Sequence, residues 1–166
     1  MGTLMSVRRR KAGYFQRLEG APAPLVFKAR RRVRFNEADV MGIAWYGRYP
    51  AFFEEGFAEL GRLCGLSYSD FAEANLRAPI AQLHIDYHRA LVLDEEFTVT
   101  VSLIWSEGAR MNSEYTVTKD DGSIAVTAYI VQMFIDGGSG EILLTSPELL
   151  ERCRKRWKAG ELSWLK

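Results

Sequence analysis

Polar and apolar side chains alternate along the first regular stretch of the chain, from Leu25 to Phe35. The basic positions are Lys28, Arg30, Arg32 and Arg34, and the apolar positions between and beside them are Phe27, Ala29, Val33 and Phe35. Arg31 breaks the alternation because it falls on the apolar side. An alternation of period two predicts a strand with one face in water.

A helical pattern follows, from about Arg48 to Cys64. Large apolar residues recur there at spacings of three and four, namely Phe52, Phe53, Phe57, Leu60 and Leu63. Charged residues fill the positions between them, as in an amphipathic helix. Gly65 comes directly after this segment, where a glycine commonly ends a helix. The pattern predicts one long, Phe-rich central helix.

The rest of the chain predicts a short helix, four strands and a last helix. The short helix covers Ser69–Asn75, with Ser67 or Ser69 as its cap. The strands are predicted at Pro79–His88, Phe97–Glu107, Met111–Lys119 and Ile124–Asp136. Asp120-Asp-Gly122 is a strong hairpin signal. The last helix covers Pro147–Lys158, with Ser146 as cap and Pro147 at its first position.

This order of elements predicts an α+β fold. One strand, one long helix and four consecutive strands favour an antiparallel sheet with the helix packed on one face. A sheet wrapped around one long central helix is the hotdog fold. A chain of 166 residues is the length of a single domain. We expect the domain at residues 25–160, preceded by an extension, residues 1–24, that ends in the linker Gly20–Pro24.

The net charge of +1 hides an asymmetry between the two ends of the chain. Residues 1–34 contain ten Lys or Arg and one acid, so the remaining residues carry a charge of −8. A basic arm on an acidic body can bind an anion, a nucleic acid or its own body. We interpret the arm as solvated, together with a charged strand face, and predict no nucleic-acid partner.

Composition and the cysteines predict a cytoplasmic protein with no membrane partner. No apolar run approaches the roughly 18 residues of a membrane helix. The apolar stretch after Arg8–Lys11 is too short and polar for a signal peptide. Cys64 and Cys153 have no CxxC or metal-ligand spacing, so we interpret both as ordinary thiols.

The segment between the first strand and the long helix resembles the signature of the 4-hydroxybenzoyl-CoA thioesterase family. That signature is Asp, two residues, Gly, a hydrophobic pair, an aromatic residue, Tyr or His, two residues and Tyr. The matching positions are Asp39, Gly42, Ile43, Ala44, Trp45, Tyr46 and Tyr49. A weaker resemblance extends over about residues 25–150, and residues 1–24 lie outside it.

The resemblance implies a catalytic site on this segment. Asp39 would act as nucleophile or general base toward a thioester, which suits a carboxylate because a thiolate is a good leaving group. The Tyr46 backbone N–H, at the start of the helix, would polarise the carbonyl oxygen. Gly42 would let the substrate approach closely, and Trp45 and Tyr49 would contact it. Judged by residue type alone, Asp39 is a common loop former; the ordered match favours catalysis.

Other candidate residues are weaker. Glu54 lies on the central helix, where other hotdog thioesterases place a catalytic base. His84, Asp86 and His88 share one strand face, a pattern that we interpret as sheet or interface residues, with no metal site predicted. Arg89 and Arg110 are expected to contact the phosphates of coenzyme A, which is part of the substrate, so no cofactor is expected.

Three functions remain open on the sequence. The first is hydrolysis of aromatic or short to medium acyl-CoA, or of an acyl-carrier-protein thioester, in a homodimer or homotetramer. The second is hydroxyacyl dehydration, which is disfavoured because it needs a His near the helix start and neither histidine lies there. The third is a non-catalytic hotdog module that binds acyl-CoA, an alternative that the basic arm keeps open.

Overall fold

The computed structural model describes residues 13–165, which fold into seven strands and three α-helices. The strands are β1 (Leu25–Arg32), β2 (Leu76–Arg77), β3 (Ile80–Tyr87), β4 (Glu96–Ile104), β5 (Arg110–Lys119), β6 (Ile124–Met133) and β7 (Ile135–Asp136). The helices are α1 (Tyr49–Cys64), α2 (Tyr68–Glu73) and α3 (Glu148–Lys158). None of the helices in this part of the chain is both long and apolar enough to span a bilayer.

Five strands form one antiparallel sheet in the order β1-β4-β5-β6-β3. The central helix α1 lies across its inner face, where Phe53 packs on Tyr115 of β5 with ring centroids 4.7 Å apart. Phe52 packs on Phe97 of β4 at 5.1 Å. These aromatic side chains are all buried. The predicted α+β hotdog fold, an antiparallel sheet around one long helix, is confirmed.

Several predicted strands end earlier than expected: β3 stops at Tyr87 instead of His88, and β4 stops at Ile104 instead of Glu107. β1 stops at Arg32. The Val33 N–H still donates to the Glu95 carbonyl at 3.0 Å, but the chain then leaves the sheet and enters a 3-10 turn, Phe35–Glu37. β6 stops at Met133 because the next residue, Phe134, turns into the core and packs against Phe71. The chain continues as β7, which pairs with β2, a short strand that the sequence did not predict.

The helix bounds and caps also differ from prediction, and α2 covers Tyr68–Glu73 instead of Ser69–Asn75. Ser67 caps α2 as one of the two expected residues, accepting from the Asp70 N–H. Ser146 does not cap α3; Pro147 is the N-cap residue and Glu148 begins the helix. The Ser146 hydroxyl instead accepts a hydrogen bond at 2.7 Å from Arg154, whose buried guanidinium also donates to the Gly108 carbonyl. Leaving a buried cation without hydrogen-bond acceptors costs more free energy than leaving a helix end without a side-chain cap.

Residues 13–24 lie on the domain. Tyr14 and Phe15 both donate their backbone N–H to Glu114 Oε1 at 2.8 Å, and Arg17 pairs with Glu114 Oε2 at 2.7 Å. The Tyr14 hydroxyl donates to Asp86 Oδ2 at 2.5 Å. We call residues Gly13–Arg17 the N-terminal strap, because they cross the outer face of β5, β6 and β3. The basic run Arg8–Lys11 lies outside the described residues.

The core also extends beyond residue 160, the predicted end of the domain. Leu162 and Leu165 are buried, and the Leu165 carbonyl accepts the Val26 N–H at the outer edge of β1. Trp157 of α3 donates its indole N–H to the Ala23 carbonyl at 2.8 Å. Both ends of the described chain therefore pack against the sheet.

Two glycines on α1 offer a matched test of this packing. An added Cβ at Gly61 would lie 2.6 Å from the Leu66 carbonyl oxygen, whereas one at Gly56 would meet nothing closer than 3.7 Å. We expect Gly61→Ala to lose about 1–2 kcal/mol through overpacking and to melt about 2–8 °C lower. Gly56→Ala gains about 0.5–1 kcal/mol of helix propensity. Thermal denaturation followed by circular dichroism measures both, and equal melting temperatures would contradict the proposed clash.

Candidate active site

Asp39 lies on a tight loop between β1 and α1. Its backbone N–H donates to the Ile43 carbonyl at 2.9 Å, and its own carbonyl accepts the Gly42 N–H at 3.0 Å. One carboxylate oxygen, Oδ1, accepts the Met41 N–H at 2.8 Å. Within residues 13–165 the other oxygen has no hydrogen-bond donor from the protein. The carboxylate is thus oriented through one oxygen and half-exposed through the other.

Gly42 allows the turn of this loop. Its φ is +73°, a left-handed conformation that L side chains rarely adopt, while an added Cβ would meet no atom within 4 Å. The glycine is therefore required by backbone conformation and not by lack of space. Its carbonyl accepts the Leu93 N–H at 2.8 Å, and the Leu91 carbonyl accepts the Ala44 N–H at 2.8 Å. These bonds hold the loop against the β3–β4 connection.

A buried ion pair between Arg31 and Glu37 packs beside the Asp39 loop. The Glu37 carboxylate, with a side-chain exposure of 7%, accepts the Arg34 N–H at 2.9 Å and faces Arg31 Nη2 at 3.3 Å. The Arg31 guanidinium also pairs with Glu55 and lies 4.9 Å over the Phe52 ring. Burial lowers the pKa of Arg31. Sequence reasoning assigned neither residue a role, although the break in alternation at Arg31 was the signal of an inward-pointing charge.

Tyr46 begins the 3-10 turn Tyr46–Arg48, which leads directly into α1. The peptide that carries its N–H is fixed on both sides: the Trp45 N–H donates to the Glu37 carbonyl at 2.9 Å, and the Trp45 carbonyl accepts the Arg48 N–H at 2.8 Å. Among the hydrogen bonds of the described chain, none uses the Tyr46 N–H. It is a backbone donor held in place and left open.

Tyr87 holds the same turn from β3. Its hydroxyl donates to the Tyr46 carbonyl at 2.7 Å, and its ring packs edge-on against Tyr49 with centroids 5.4 Å apart. Sequence reasoning missed Tyr87, because nothing in a strand pattern tells which tyrosine reaches a loop 41 residues away. Tyr49 itself is buried, and burial raises its pKa to about 12. Tyr49 therefore lies in the core beneath the site of this protomer.

The surface around Asp39 is apolar and aromatic. Trp45 and Tyr46 are both exposed, with ring centroids 5.3 Å apart. The indole of Trp45 folds back over Gly47, where an added Cβ would lie 2.5 Å from the ring. Exposed apolar side chains continue this surface on both sides: Val40, Met41, Val92 and Leu93. Such a patch marks a site that a ligand or a partner covers.

The two arginines expected to bind coenzyme A lie at opposite ends of the sheet. Arg89 follows β3 at the same end as Asp39, and its N–H donates to the Ala125 carbonyl at 3.0 Å. Arg110 begins β5 at the other end, where it lines a small cavity with Arg154 and Trp157 of α3. A strand of this length spans about 30 Å. One protomer does not bring Arg110 to Asp39.

Glu54 and the histidines make their side-chain contacts outside the Asp39 loop. Glu54 accepts the Tyr68 hydroxyl at 2.9 Å and lines a charged cleft between α1 and β1. His84 Nε2 is 3.0 Å from Asp86 Oδ2, and His88 Nε2 is 2.8 Å from Thr127 Oγ1, both on the outer sheet face. In the described part of the chain, no three or more His, Cys, Asp or Glu side chains are grouped to hold a metal ion.

We expect Glu37→Gln to loosen the Asp39 loop. Gln retains an acceptor for the Arg34 N–H, so the variant removes mainly the charge opposite Arg31. Breaking a buried ion pair costs about 3 kcal/mol or more, equivalent here to a melting temperature about 6–12 °C lower. Hydrogen exchange should also accelerate over residues 33–48.

The control for this variant is Glu55→Gln, which removes the exposed partner of the same arginine. Exposed pairs contribute about 0–1 kcal/mol, so this change should have little effect on either readout. Equal losses in both variants would mean that Glu37 is no more important than a surface charge.

Comparison with known proteins places the chain in a family. It matches the thioesterase-like superfamily over residues 33–153. An Aquifex aeolicus protein named "Putative esterase" is 31% identical over 99 residues, which cover 60% of this chain and 77% of that protein. The "Putative acyl-CoA thioesterase YneP" of Bacillus subtilis is 25% identical over 111 residues, which cover 67% of this chain and 80% of that protein.

Solved structures agree with the fold. A Staphylococcus aureus protein determined in complex with CoA aligns with a TM-score of 0.73 and 21% sequence identity, over 84% of this chain and 87% of that chain. The antiparallel sheet around one long helix and the family match define a thioesterase of the hotdog class. The chain belongs to the thioesterase-like superfamily, since the family match spans more than half of its length. The resemblance found in the sequence is confirmed at that level.

Proposed function

We propose that this thioesterase hydrolyses acyl-CoA, with Asp39 as the catalytic carboxylate and the Tyr46 N–H as the oxyanion donor. One observation carries the proposal: a half-exposed carboxylate and an open backbone donor lie on one loop, and the peptide of that donor is held by Glu37 and Arg48. A donor fixed before the reaction stabilises developing charge without reorganisation.

The chemistry follows from these two groups. Asp39 either attacks the thioester carbonyl, forming a mixed anhydride that water hydrolyses, or takes a proton from the attacking water. In both routes negative charge develops on the carbonyl oxygen, which accepts from the Tyr46 N–H. The thiolate then leaves. Trp45 and the exposed apolar side chains beside it offer surface for the acyl group.

Coenzyme A is favoured over a carrier protein as the thiol. The Bacillus subtilis relative is named for acyl-CoA, and the Staphylococcus aureus neighbour was crystallised with CoA. The non-catalytic alternative loses part of its support, because Arg17 of the basic arm pairs with Glu114 of its own body. The acyl group itself is proposed to be aromatic or of short to medium length, as the aromatic surface around Trp45 suits either.

Asp39→Asn tests the catalytic role. Asn keeps an acceptor for the Met41 N–H, so the loop should remain folded while the nucleophile or base is lost. We expect CoA release from a panel of aliphatic and aromatic acyl-CoAs to fall at least about 100-fold, the usual contribution of such a group. A free-thiol assay measures the rate.

Asp120→Asn is the matched control, since Asp120 pairs with Arg30 on the surface and lies outside the loop. It should retain wild-type activity. Unchanged CoA release in Asp39→Asn would remove Asp39 from catalysis, and no release by the wild type from any acyl-CoA would favour the binding module.

We further propose that the active unit is a homodimer formed through β3. This strand is at the edge of the sheet and presents exposed apolar side chains at Ile80, Leu83 and Tyr87. Antiparallel pairing of two β3 strands about a two-fold axis would continue the sheet and satisfy both free edges. Arg110 and Asp39 lie at opposite ends of the sheet in each subunit. The two-fold axis would therefore place the Arg110 end of one sheet beside the Asp39 end of the other.

The N-terminal strap restricts how two dimers could form the homotetramer that the sequence left as an alternative. It covers the outer face of β5, β6 and β3 through Tyr14 and Glu114. Any further pairing of dimers would therefore use another face.

Leu83→Lys tests the dimer. Two lysines would face each other near the axis of a shared edge, where like charges oppose pairing. We expect sedimentation velocity to give a monomer. CoA release should fall at least about 10-fold, because a site without its partner subunit positions the substrate less well. Leu144→Lys is the control, because Leu144 is more exposed than Leu83 and lies outside the β3 edge. A monomeric wild type, or a dimeric Leu83→Lys, would overturn this assembly.

A further inference from the structure

The two cysteines meet in the fold although 88 residues separate them in sequence. Cys64 is the last residue of α1, and Cys153 lies in α3. Both are buried, with exposures of 1% and 2%. Both also line one cavity of about 430 Å³ between α2 and α3. Sequence spacing alone gave no reason to connect them.

The cavity around the thiols is polar. Its wall contains charged side chains of both signs, namely Asp70, Glu73, Glu148, Arg152 and Arg156. Space of this size and polarity admits water-sized molecules. Both buried thiols therefore border a space that a small polar reagent can enter.

The two thiols share this cavity, and each affects the ionisation of the other. A hydrogen bond to Cys64 lowers the pKa of Cys153, and the same bond raises the pKa of Cys64. Arg156 faces both thiols, and Arg154 also favours the thiolate of Cys153. Cys64 in addition donates to the Gly61 carbonyl at 3.8 Å. We take Cys153 as the attacking thiol, because Arg154 follows it directly in α3 and Arg156 lines the same cavity.

We propose that Cys64 and Cys153 form a reversible disulfide when the protein meets hydrogen peroxide, joining the C-terminal end of α1 to α3. This is a modification site separate from the Asp39 loop. Cys64 and Tyr49 lie at opposite ends of α1, about 22 Å apart along a helix of 16 residues. The inference does not depend on the proposed reaction.

The oxidation balances with a peroxide as the oxidant. The Cys153 thiolate attacks one peroxide oxygen, the O–O bond breaks, and a sulfenic acid and, after one proton is taken up, a water are released. Cys64 then attacks the Cys153 sulfur, the S–O bond breaks, and the Cys64 proton leaves with the hydroxyl as a second water. Two thiols are oxidised by two electrons, and one peroxide is reduced to two waters.

The fold gives this bond a defined effect. A disulfide here would close a loop of 88 residues, and long loops gain most from closure in the chain-entropy description. It would tie α3, at the end of the family match, to the helix on which the sheet is wrapped. The expected consequence is a melting temperature higher by on the order of 10 °C in the oxidised protein.

The experiment exposes the full-length reduced protein to hydrogen peroxide and then alkylates free thiols under denaturing conditions. Tryptic digestion without reduction should yield residues 63–77 joined to residues 153–154, as cleavage follows Arg62, Arg77, Arg152 and Arg154. Dithiothreitol should release both peptides and reverse the shift in melting temperature. Arg156→Gln, which removes the cation facing both thiols, should slow the reaction several-fold.

Cys64→Ser and Cys153→Ser are the controls, and neither should show a peroxide-dependent rise in melting temperature. Both should retain wild-type CoA release, which separates this site from the active site. Full alkylation of both thiols after peroxide treatment would overturn the proposal. So would oxidation of Cys153 to sulfinic acid without a crosslink, or crosslinking only between molecules.

Discussion

The ion pair between Arg31 and Glu37 is the interaction on which the site depends. A charge pair in a sheet protein is costly to bury unless its remaining hydrogen bonds are satisfied. Here Glu37 accepts the Arg34 N–H through its carboxylate and the Trp45 N–H through its carbonyl. One buried residue therefore joins the end of β1 to the peptide before Tyr46. The Asp39 loop lies between these two anchor points, so its shape follows from the pair.

The second constraint is the free edge of β3. Its inner face carries Tyr87, which holds the Tyr46 carbonyl, and its outer face carries Asp86, which accepts from Tyr14 of the N-terminal strap. β3 is therefore hydrogen-bonded to the Tyr46 turn on its inner face and to the N-terminal strap on its outer face. An edge strand braced in this way can present its exposed apolar side chains to a partner strand. This arrangement joins the proposed dimer and the proposed catalysis in one element.

Much of the fold was predictable because its signals are local. Period-two alternation marked β1, and spacings of three and four marked α1. Composition rich in β-forming residues and the Asp120-Asp-Gly122 turn marked the later strands. The signature residues from Asp39 to Tyr49 marked the site loop for the same reason, because they are contiguous in the sequence. Predictions failed where tertiary contacts intervened: Phe134 ends β6 by turning into the core, and Arg154 takes the hydroxyl of Ser146 away from α3.

The sequence by itself determined the class of fold, the position of the carboxylate and the glycine that shapes its turn. Only the tertiary structure decided which side chains meet. It joined Arg31 to Glu37 and Tyr87 to Tyr46, and it placed Cys64 and Cys153 on one cavity. It also buried Tyr49 while leaving Trp45 exposed. The physical reason is that hydrophobic periodicity encodes which face of an element turns inward. Partners across the core depend on sheet order and helix placement, which no single segment contains.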